Sequence, residues 1–194
     1  CVDAENDTVL EGNHGAGTGA SVGKLLGFEH AMKSGIGTCG IQVGDLQVAA
    51  IVAVNACGNV VDYETNELLA GVYDSHSGSV LKAQDVLFQQ MDALRKLPEG
   101  NTTIGCFVTN AKLDKAQCTK IAGIAHNGYA RAIHPVHTMS DGDSIFVLSS
   151  GEVEVMADAV GMLATEMMAK AIKRAVLHAE SAYGLPAHSD VICK

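Results

Sequence analysis

Tryptophan is absent from this sequence, and tyrosine and phenylalanine supply only four residues each. With 47% hydrophobic residues, that scarcity of large aromatics describes a soluble globular chain whose core is aliphatic. Charge is also scarce, at 18% of residues. A surface with so little charge is either small or partly covered by other subunits, and the second is expected. The balance is acidic, 13 basic against 22 acidic residues for a net charge of −9, which excludes a nucleic-acid backbone as the natural partner. Basic residues cluster only at Lys170, Lys173 and Arg174. No run approaches the roughly 18 uninterrupted apolar residues of a membrane-spanning helix, so no membrane partner is expected. No signal peptide is visible, and no internal repeat. The chain opens on Cys1-Val2-Asp3 without an initiator Met, so it is expected to be part of a longer product. None of the six cysteines (Cys1, Cys39, Cys57, Cys106, Cys118, Cys193) forms a C-x-x-C pair. Cys39, Cys57, Cys106 and Cys118 lie in apolar or helical runs, the habit of reduced, buried thiols in a cytoplasmic protein.

The 194 residues suffice for one ordinary domain. Residues 11–27, EGNHGAGTGASVGKLLG, form a Gly-rich loop. Residues 36–44 and 46–56 read as two strands of a hairpin turning at Gly44-Asp45. Residues 59–63 suggest a short third strand, and 64–78 a loop. In residues 79–97, Val80, Leu81, Val86, Leu87, Met91 and Leu94 recur at near-helical spacing, and Pro98-Glu99-Gly100 would stop that helix. A strand is expected over 103–109. Asp114 caps a helix from about 115 to 132 with Ile121, Ile124 and Ala125 on its apolar face. Another strand covers 144–149, and a long helical stretch rich in Ala and Met covers 153–182. Strands interleaved with helices in this order predict sheets covered by helices, an α+β or layered α/β fold.

The glycines at 11–27 invite a nucleotide reading, which fails on spacing. Gly23-Lys24 has Thr18 and Leu25 where a phosphate-binding loop needs Gly and Ser or Thr, and Gly17-x-Gly19 reaches Gly23 one residue late for a dinucleotide fingerprint. The loop's use is close backbone approach, with Lys24 either on the surface or delivered into a site. His134 and His137 in HPVH are two potential ligands, but Pro135 keeps them off one helical face and a metal needs more donors. Asp141-Gly142-Asp143 is either a plain turn or two carboxylates beside a reacting centre. In GNTTIGCFVTN (100–110) a Gly-Asn turn feeds two threonines and then an apolar strand. That is either ordinary turn and strand-edge composition or a pair of hydroxyls placed for chemistry.

Four blocks, GNHGAGTGASVGKLLG, VAAIVAVNACGNVVD, GNTTIGCFVTNAKLDKAQ and AHNGYARAIHPVHTMSDGDSIFVLSSG, follow one another in this order. Together they resemble the self-processing L-aminopeptidase/D-Ala-esterase/amidase family, which includes β-aminopeptidases and endo-type 6-aminohexanoate-oligomer hydrolases. The likeness covers most of residues 11–151. It implies a four-layer αββα sandwich like that of ornithine acetyltransferase, with a substantial further segment N-terminal to the Gly-rich loop that these residues do not contain. It also implies self-cleavage between Asn101 and Thr102, with 1–101 belonging to the first chain and 102–194 forming the second. Thr102 would then be the N-terminal nucleophile. The residues suit that chemistry, because a hydroxyl at a chain start has the free α-amino group, pKa about 7.7–8.0, as its own base. Asn55, at the end of a strand, would donate to an oxyanion, a contact typically worth about 2.7–4 kcal/mol. By the same resemblance Lys24 lies near the nucleophile. Asp141 and Asp143 match the acidic pair of the oligomer hydrolases, where they either orient the Thr102 ammonium or receive a substrate amine. No cofactor or metal is implied.

The expected activity is hydrolysis of amide bonds in small peptides, amino-acid amides or esters, or related oligoamides. The alternatives are an acyltransferase passing the same Thr102 acyl group to an amine, and a binding or assembly protein that never processes. A homo-oligomer is expected as well. On the last helical stretch Met156, Val160, Leu163, Met167, Ala171 and Ile172 lie near one stripe, while Met162, Met168 and Ala175 widen the apolar surface beyond it.

Overall fold

The computed structural model describes residues 9–89 and 100–191. Its organising element is a four-stranded sheet of order β11-β9-β4-β3. β3 (Ile36–Val43) and β4 (Leu46–Asn55) form the expected hairpin, with Val43 opposite Leu46 and Gly44 at φ 59°. That conformation at the first position of a two-residue loop is what glycine permits. β9 (Thr102–Ala111) pairs antiparallel with β4, and β11 (Ser144–Val153) pairs parallel with β9. Parallel neighbours need a crossover, and α2 (Lys115–Ala132) supplies it. Its start is a capping box. Gln117 N donates to Asp114 Oδ1 at 2.7 Å, and Asp114 N donates to Gln117 Oε1 at 2.9 Å.

Both α2 and α3 (Ala157–Leu177) belong to the helical layer on one face of this sheet. Alternate residues of β4 (Leu46, Val48, Ala50, Val52, Val54) and of β9 (Thr103, Gly105, Phe107, Thr109, Ala111) are buried on that side. The opposite face carries Ile104, Val108, Phe146 and Leu148, which are exposed among the described residues. The helices pack closely because small residues sit at their crossing. A Cβ added at Gly128 would overlap the Thr165 carbonyl oxygen, and Thr165 Oγ1 donates to the Ile124 carbonyl at 3.1 Å. Gly128→Ala is therefore expected to lower stability by about 1–3 kcal/mol through overpacking, despite alanine's better helix propensity. Chemical denaturation checks it, and an unchanged or raised midpoint would show that the helices yield freely.

Smaller sheets flank the main one. β1 (Ser21–Val22) pairs with β2 (Met32–Lys33), and β5 (Asn59–Val61) lies between β6 (Leu68–Ala70) and β10 (Ile133–His134). β7 (Val72–Asp74) pairs with β8 (Ser79–Leu81). Residues 64–78 are thus not the uninterrupted loop expected. Leu69, Ala70 and Val72 are buried, but Gly71 breaks their run into pieces too short to show a period. Residues 79–81 are a strand rather than a helix start, because they fold back on β7. The described helix α1 is Ala83–Gln89, and the expected residues Met91 and Leu94 and the Pro98-Glu99 stop lie outside the described residues. The last helix begins at Ala157 rather than 153, since Val153 still pairs with Ala111.

The wide apolar surface of α3 has an explanation inside the chain. Val160, Met167, Met168, Ala171, Ile172 and Ala175 are all buried, between the sheet on one side and α2 on another. Met162 and Met156 are exposed. Among the described residues no helix is long and apolar enough to cross a membrane.

Candidate active site

The doubled threonine opens β9, and strand alternation separates its members. Thr103 points into the helical layer, fully buried, and among the described residues its hydroxyl has no hydrogen-bond partner. Thr102 faces the other way, half-buried, with its Oγ1 donating to the Asn101 carbonyl oxygen at 2.5 Å. The same carbonyl accepts the Gly142 amide at 2.9 Å, where Asn101 and Asp141 form a parallel bridge. Gly100, at φ 88°, turns the chain into this position. The Asn101–Thr102 bond therefore sits at the start of a strand, its carbonyl held by two donors and its hydroxyl alongside. A Cβ at Gly142 would come within 2.8 Å of Thr102 Oγ1, so the absence of a side chain there makes room for the hydroxyl.

Asn55 ends β4 directly opposite Thr102. Its Oδ1 accepts two donors, Lys24 Nζ at 2.7 Å and Ser21 N at 3.3 Å, which settles the orientation of the amide. Its Nδ2 consequently points at the Gly100 carbonyl, at 3.1 Å. Asn55 thus holds the carbonyl one residue before Asn101, and Gly142 holds that of Asn101 itself.

Lys24 is delivered inward by the Gly-rich loop. Gly23, at φ 74°, passes so near the Gly71 carbonyl that any Cβ would overlap it, and the Gly23 and Lys24 amides donate to Gly58 and Cys57 carbonyls at 3.0 and 2.9 Å. The side chain is 5% exposed. Burial pulls its pKa down to about 8, against the opposing fields of Cys57 and Asp141. Burial, reinforced by Asp141, pushes the Cys57 thiol up to about 11.

The two aspartates take different posts. Asp141 Oδ2 accepts from Thr138 N and Oγ1 at 3.0 and 2.7 Å, while its Oδ1 is buried without a hydrogen-bond partner among the described residues. Asp143 Oδ1 accepts the Thr103 amide at 2.9 Å, and Oδ2 accepts His137 Nδ1 at 2.9 Å and the His137 amide at 3.3 Å. Asp143 thus braces the residue after Thr102. His137 is committed to Asp143, and His134 Nε2 lies 3.2 Å from the Ala130 carbonyl. Among the described residues no group of three or more His, Cys, Asp or Glu is placed to hold a metal.

The site thus unites Lys24, Asn55, Asn101, Thr102, Asp141 and Asp143. Sequence reasoning missed Gly142, whose contribution is a backbone amide that no residue letter announces, and the role of His137, which had been considered only as a metal ligand. It also missed Lys33. This residue is fully buried and donates to the Gly17, Ala20 and Ser34 carbonyls at 3.1, 2.8 and 2.5 Å, tying the Gly-rich loop that carries Ser21 and Lys24. Burial lowers its pKa to about 8.

A sheet covered by helices on one face defines a layered α/β protein, and solved structures share the fold. A β-aminopeptidase from Burkholderia sp. superposes with a TM-score of 0.61 at 22% identity, over 95% of this chain and 53% of its own. The L-aminopeptidase D-Ala-esterase/amidase of Ochrobactrum anthropi, described as a prototype serine aminopeptidase and a variant of the Ntn hydrolase fold, gives 0.60 at 20% identity, over 94% and 51%. The model of peptidase family S58 matches residues 1–189, and the chain belongs to that family. An uncharacterized aminopeptidase of Mycobacterium leprae is 35% identical over 205 residues, 96% of this chain and 54% of that protein. The 6-aminohexanoate-oligomer endohydrolase of Paenarthrobacter ureafaciens is 30% identical over 182 residues, 85% and 50%. The chain therefore spans about half the length of these relatives.

Proposed function

We propose that this chain carries the catalytic centre of a self-processing aminopeptidase or amidase whose nucleophile is Thr102. The observation that supports this best is the Thr102 hydroxyl at 2.5 Å from the Asn101 carbonyl oxygen, with the Gly142 amide at 2.9 Å on that same oxygen. The hydroxyl oxygen adds to the Asn101 carbonyl carbon, and negative charge builds on the oxygen that Gly142 already faces. The C–N bond breaks as the Thr102 nitrogen takes up the hydroxyl proton, leaving an ester. Water hydrolyses the ester to an Asn101 carboxylate, the free Thr102 hydroxyl and a new α-amine. That amine then serves as base for the hydroxyl against an external amide. Departure of the 100–101 end would release both Asn55 Nδ2 and the Gly142 amide to receive the substrate carbonyl oxygen.

Small peptides or linear amides are the proposed substrates, in keeping with the relatives' names, and Asp141 Oδ1, which has no hydrogen-bond partner among the described residues, is suited to a substrate amine. A cytoplasmic location and a homo-oligomer of processed protomers are proposed alongside. The free Cys39, Cys57, Cys106 and Cys118 support the first, and the low charged fraction supports the second. Denaturing intact-mass measurement tests the central claim. Two fragments divided at Asn101/Thr102 are expected, and an active protein with that bond intact would overturn it.

Lys24 enters as a charge behind the Asn55 amide, polarising it toward donation. The pH–kcat curve of processed protein should therefore rise as the Thr102 amine becomes neutral, near pH 7.7–8.0 for an unperturbed group. It should fall again above about pH 8 as Lys24 loses its proton. Lys24→Arg stays charged and should lose the falling limb. A falling limb that persists in the arginine variant would remove Lys24 from this role.

A further inference from the structure

The stretch from His134 to Asp143 carries two histidines, and one of them, His137, is held to Asp143 through both its ring and its backbone amide. His137 has φ 56°, a left-handed conformation uncommon outside glycine, which histidine, like asparagine and aspartate, adopts more often than other side chains do. Such strain persists only where surroundings enforce it. Here they do so on two sides. The imidazole lies among rings from α2, with His126 edge-on at a centroid distance of 4.8 Å and Tyr129 stacked at 6.1 Å. On the other side its Nδ1 and its own amide both reach Asp143 Oδ2. A carboxylate only accepts, so Nδ1 carries the hydrogen, and it does so in both the neutral and the cationic ring. The Asp143 side chain is 4% exposed and that of His137 37%, so the carboxylate is the buried partner of this bond. The other oxygen, Oδ1, holds the Thr103 amide. One unbroken chain of contacts thus runs from α2 through His137 and Asp143 to the backbone immediately after Thr102.

We infer that His137 is a positioning residue for the reaction: by clamping Asp143 Oδ2 it keeps Oδ1 on the Thr103 amide and so fixes where the Thr102 hydroxyl and amine point. The inference rests on Thr102 being the nucleophile. It concerns orientation, and misplacing a reacting group by an ångström typically costs about 100-fold in rate.

Two substitutions separate the hydrogen bond from the backbone strain. Gly accepts φ 56° freely but removes the imidazole. Asn tolerates the same φ and places a side-chain N–H near where Nδ1 stood. The test follows self-cleavage by intact mass in the full chain for wild type, His137→Gly and His137→Asn. It then follows kcat and KM of processed protein on an amino-acid 4-nitroanilide, with thermal melting as the control for folding. His137→Gly should slow cutting and lower kcat by about 10- to 100-fold with KM within twofold and the melting temperature little changed. His137→Asn should recover most of the loss. A glycine variant that cuts and turns over like wild type would overturn the inference. So would an asparagine variant as slow as the glycine one, since the hydrogen bond would then not be the agent. If the glycine variant fails to fold, the asparagine variant decides: wild-type rates support the clamp, and a folded but slow protein refutes it. Wild type that does not cut at Asn101/Thr102 would instead bring down the nucleophile assignment, and this inference with it.

Discussion

Thr102→Ala is expected to leave one uncut chain and no measurable hydrolysis. In the proposed mechanism the attacking oxygen is the atom removed. Thr103, the adjacent hydroxyl, points into the helical layer on the opposite side of the strand. Loss of a nucleophile that acts with its base as a unit costs on the order of a million-fold in kcat. Thr102→Ser keeps an oxygen at the same place and should still cut, more slowly if the missing methyl lets the side chain rotate. Thr103→Ala is the matched control. It deletes a buried hydroxyl that has no partner among the described residues, so it should cut normally and melt near the wild-type temperature. Gel electrophoresis of the purified variants reads all three. Cutting at the same bond in Thr102→Ala, or its loss in Thr103→Ala with the fold intact, would reassign the nucleophile.

Met168→Glu should unfold the protein, while Met162→Glu should not. The two positions lie on one helix and are equally apolar in the sequence. In the structure Met168 is fully buried, close to Gly105 and Gly128, whereas Met162 is 73% exposed. An isolated carboxylate at position 168 would have no cation to meet it and would bear a desolvation cost of several kcal/mol. That cost, added to the about 2–5 kcal/mol lost with a buried methionine, is comparable with the whole stability of an ordinary domain, about 5–15 kcal/mol. At position 162 the change should stay within about 0.5 kcal/mol for a protomer. Thermal melting distinguishes the two, and a folded Met168→Glu would contradict the packing of α3 against α2 and the sheet. Light scattering on Met162→Glu tests the proposed oligomer as well, because dissociation without unfolding would place that residue at a contact between protomers.

The pattern of residues was enough to announce the framework on which the site is built. Gly44-Asp45 between two apolar runs dictated a hairpin, and Asp114 announced the start of α2. Four ordered blocks pointed to the family. These features are local: they depend on a residue's own conformational preference or on partners three or four positions away, so they are legible without the fold. The segments that were misread are those where distant pairing overrides local preference. Residues 79–81 carry a helical spacing, but β7 captures them as a strand, and Val153 looks helical until Ala111 is set beside it.

By itself the sequence determined that a hydroxyl stands at the start of an apolar strand, that a lysine follows a Gly-rich loop, and that two carboxylates flank a glycine. Only the tertiary structure decided which hydroxyl faces which way. A strand's period of two assigns Thr102 and Thr103 to opposite faces, but which face is covered depends on where α2 and α3 land. Only the structure buried Lys24, because desolvation is a property of everything around a side chain rather than of its neighbours in the chain. And only the structure gave Gly142 and His137 their places. A backbone amide is present at almost every residue, and an imidazole suits a metal, a surface or a carboxylate equally well. What singles these two out is the parallel pairing of Asn101 with Asp141 and the turn of the chain that brings His137 back onto Asp143, contacts that exist only once the chain has closed on itself.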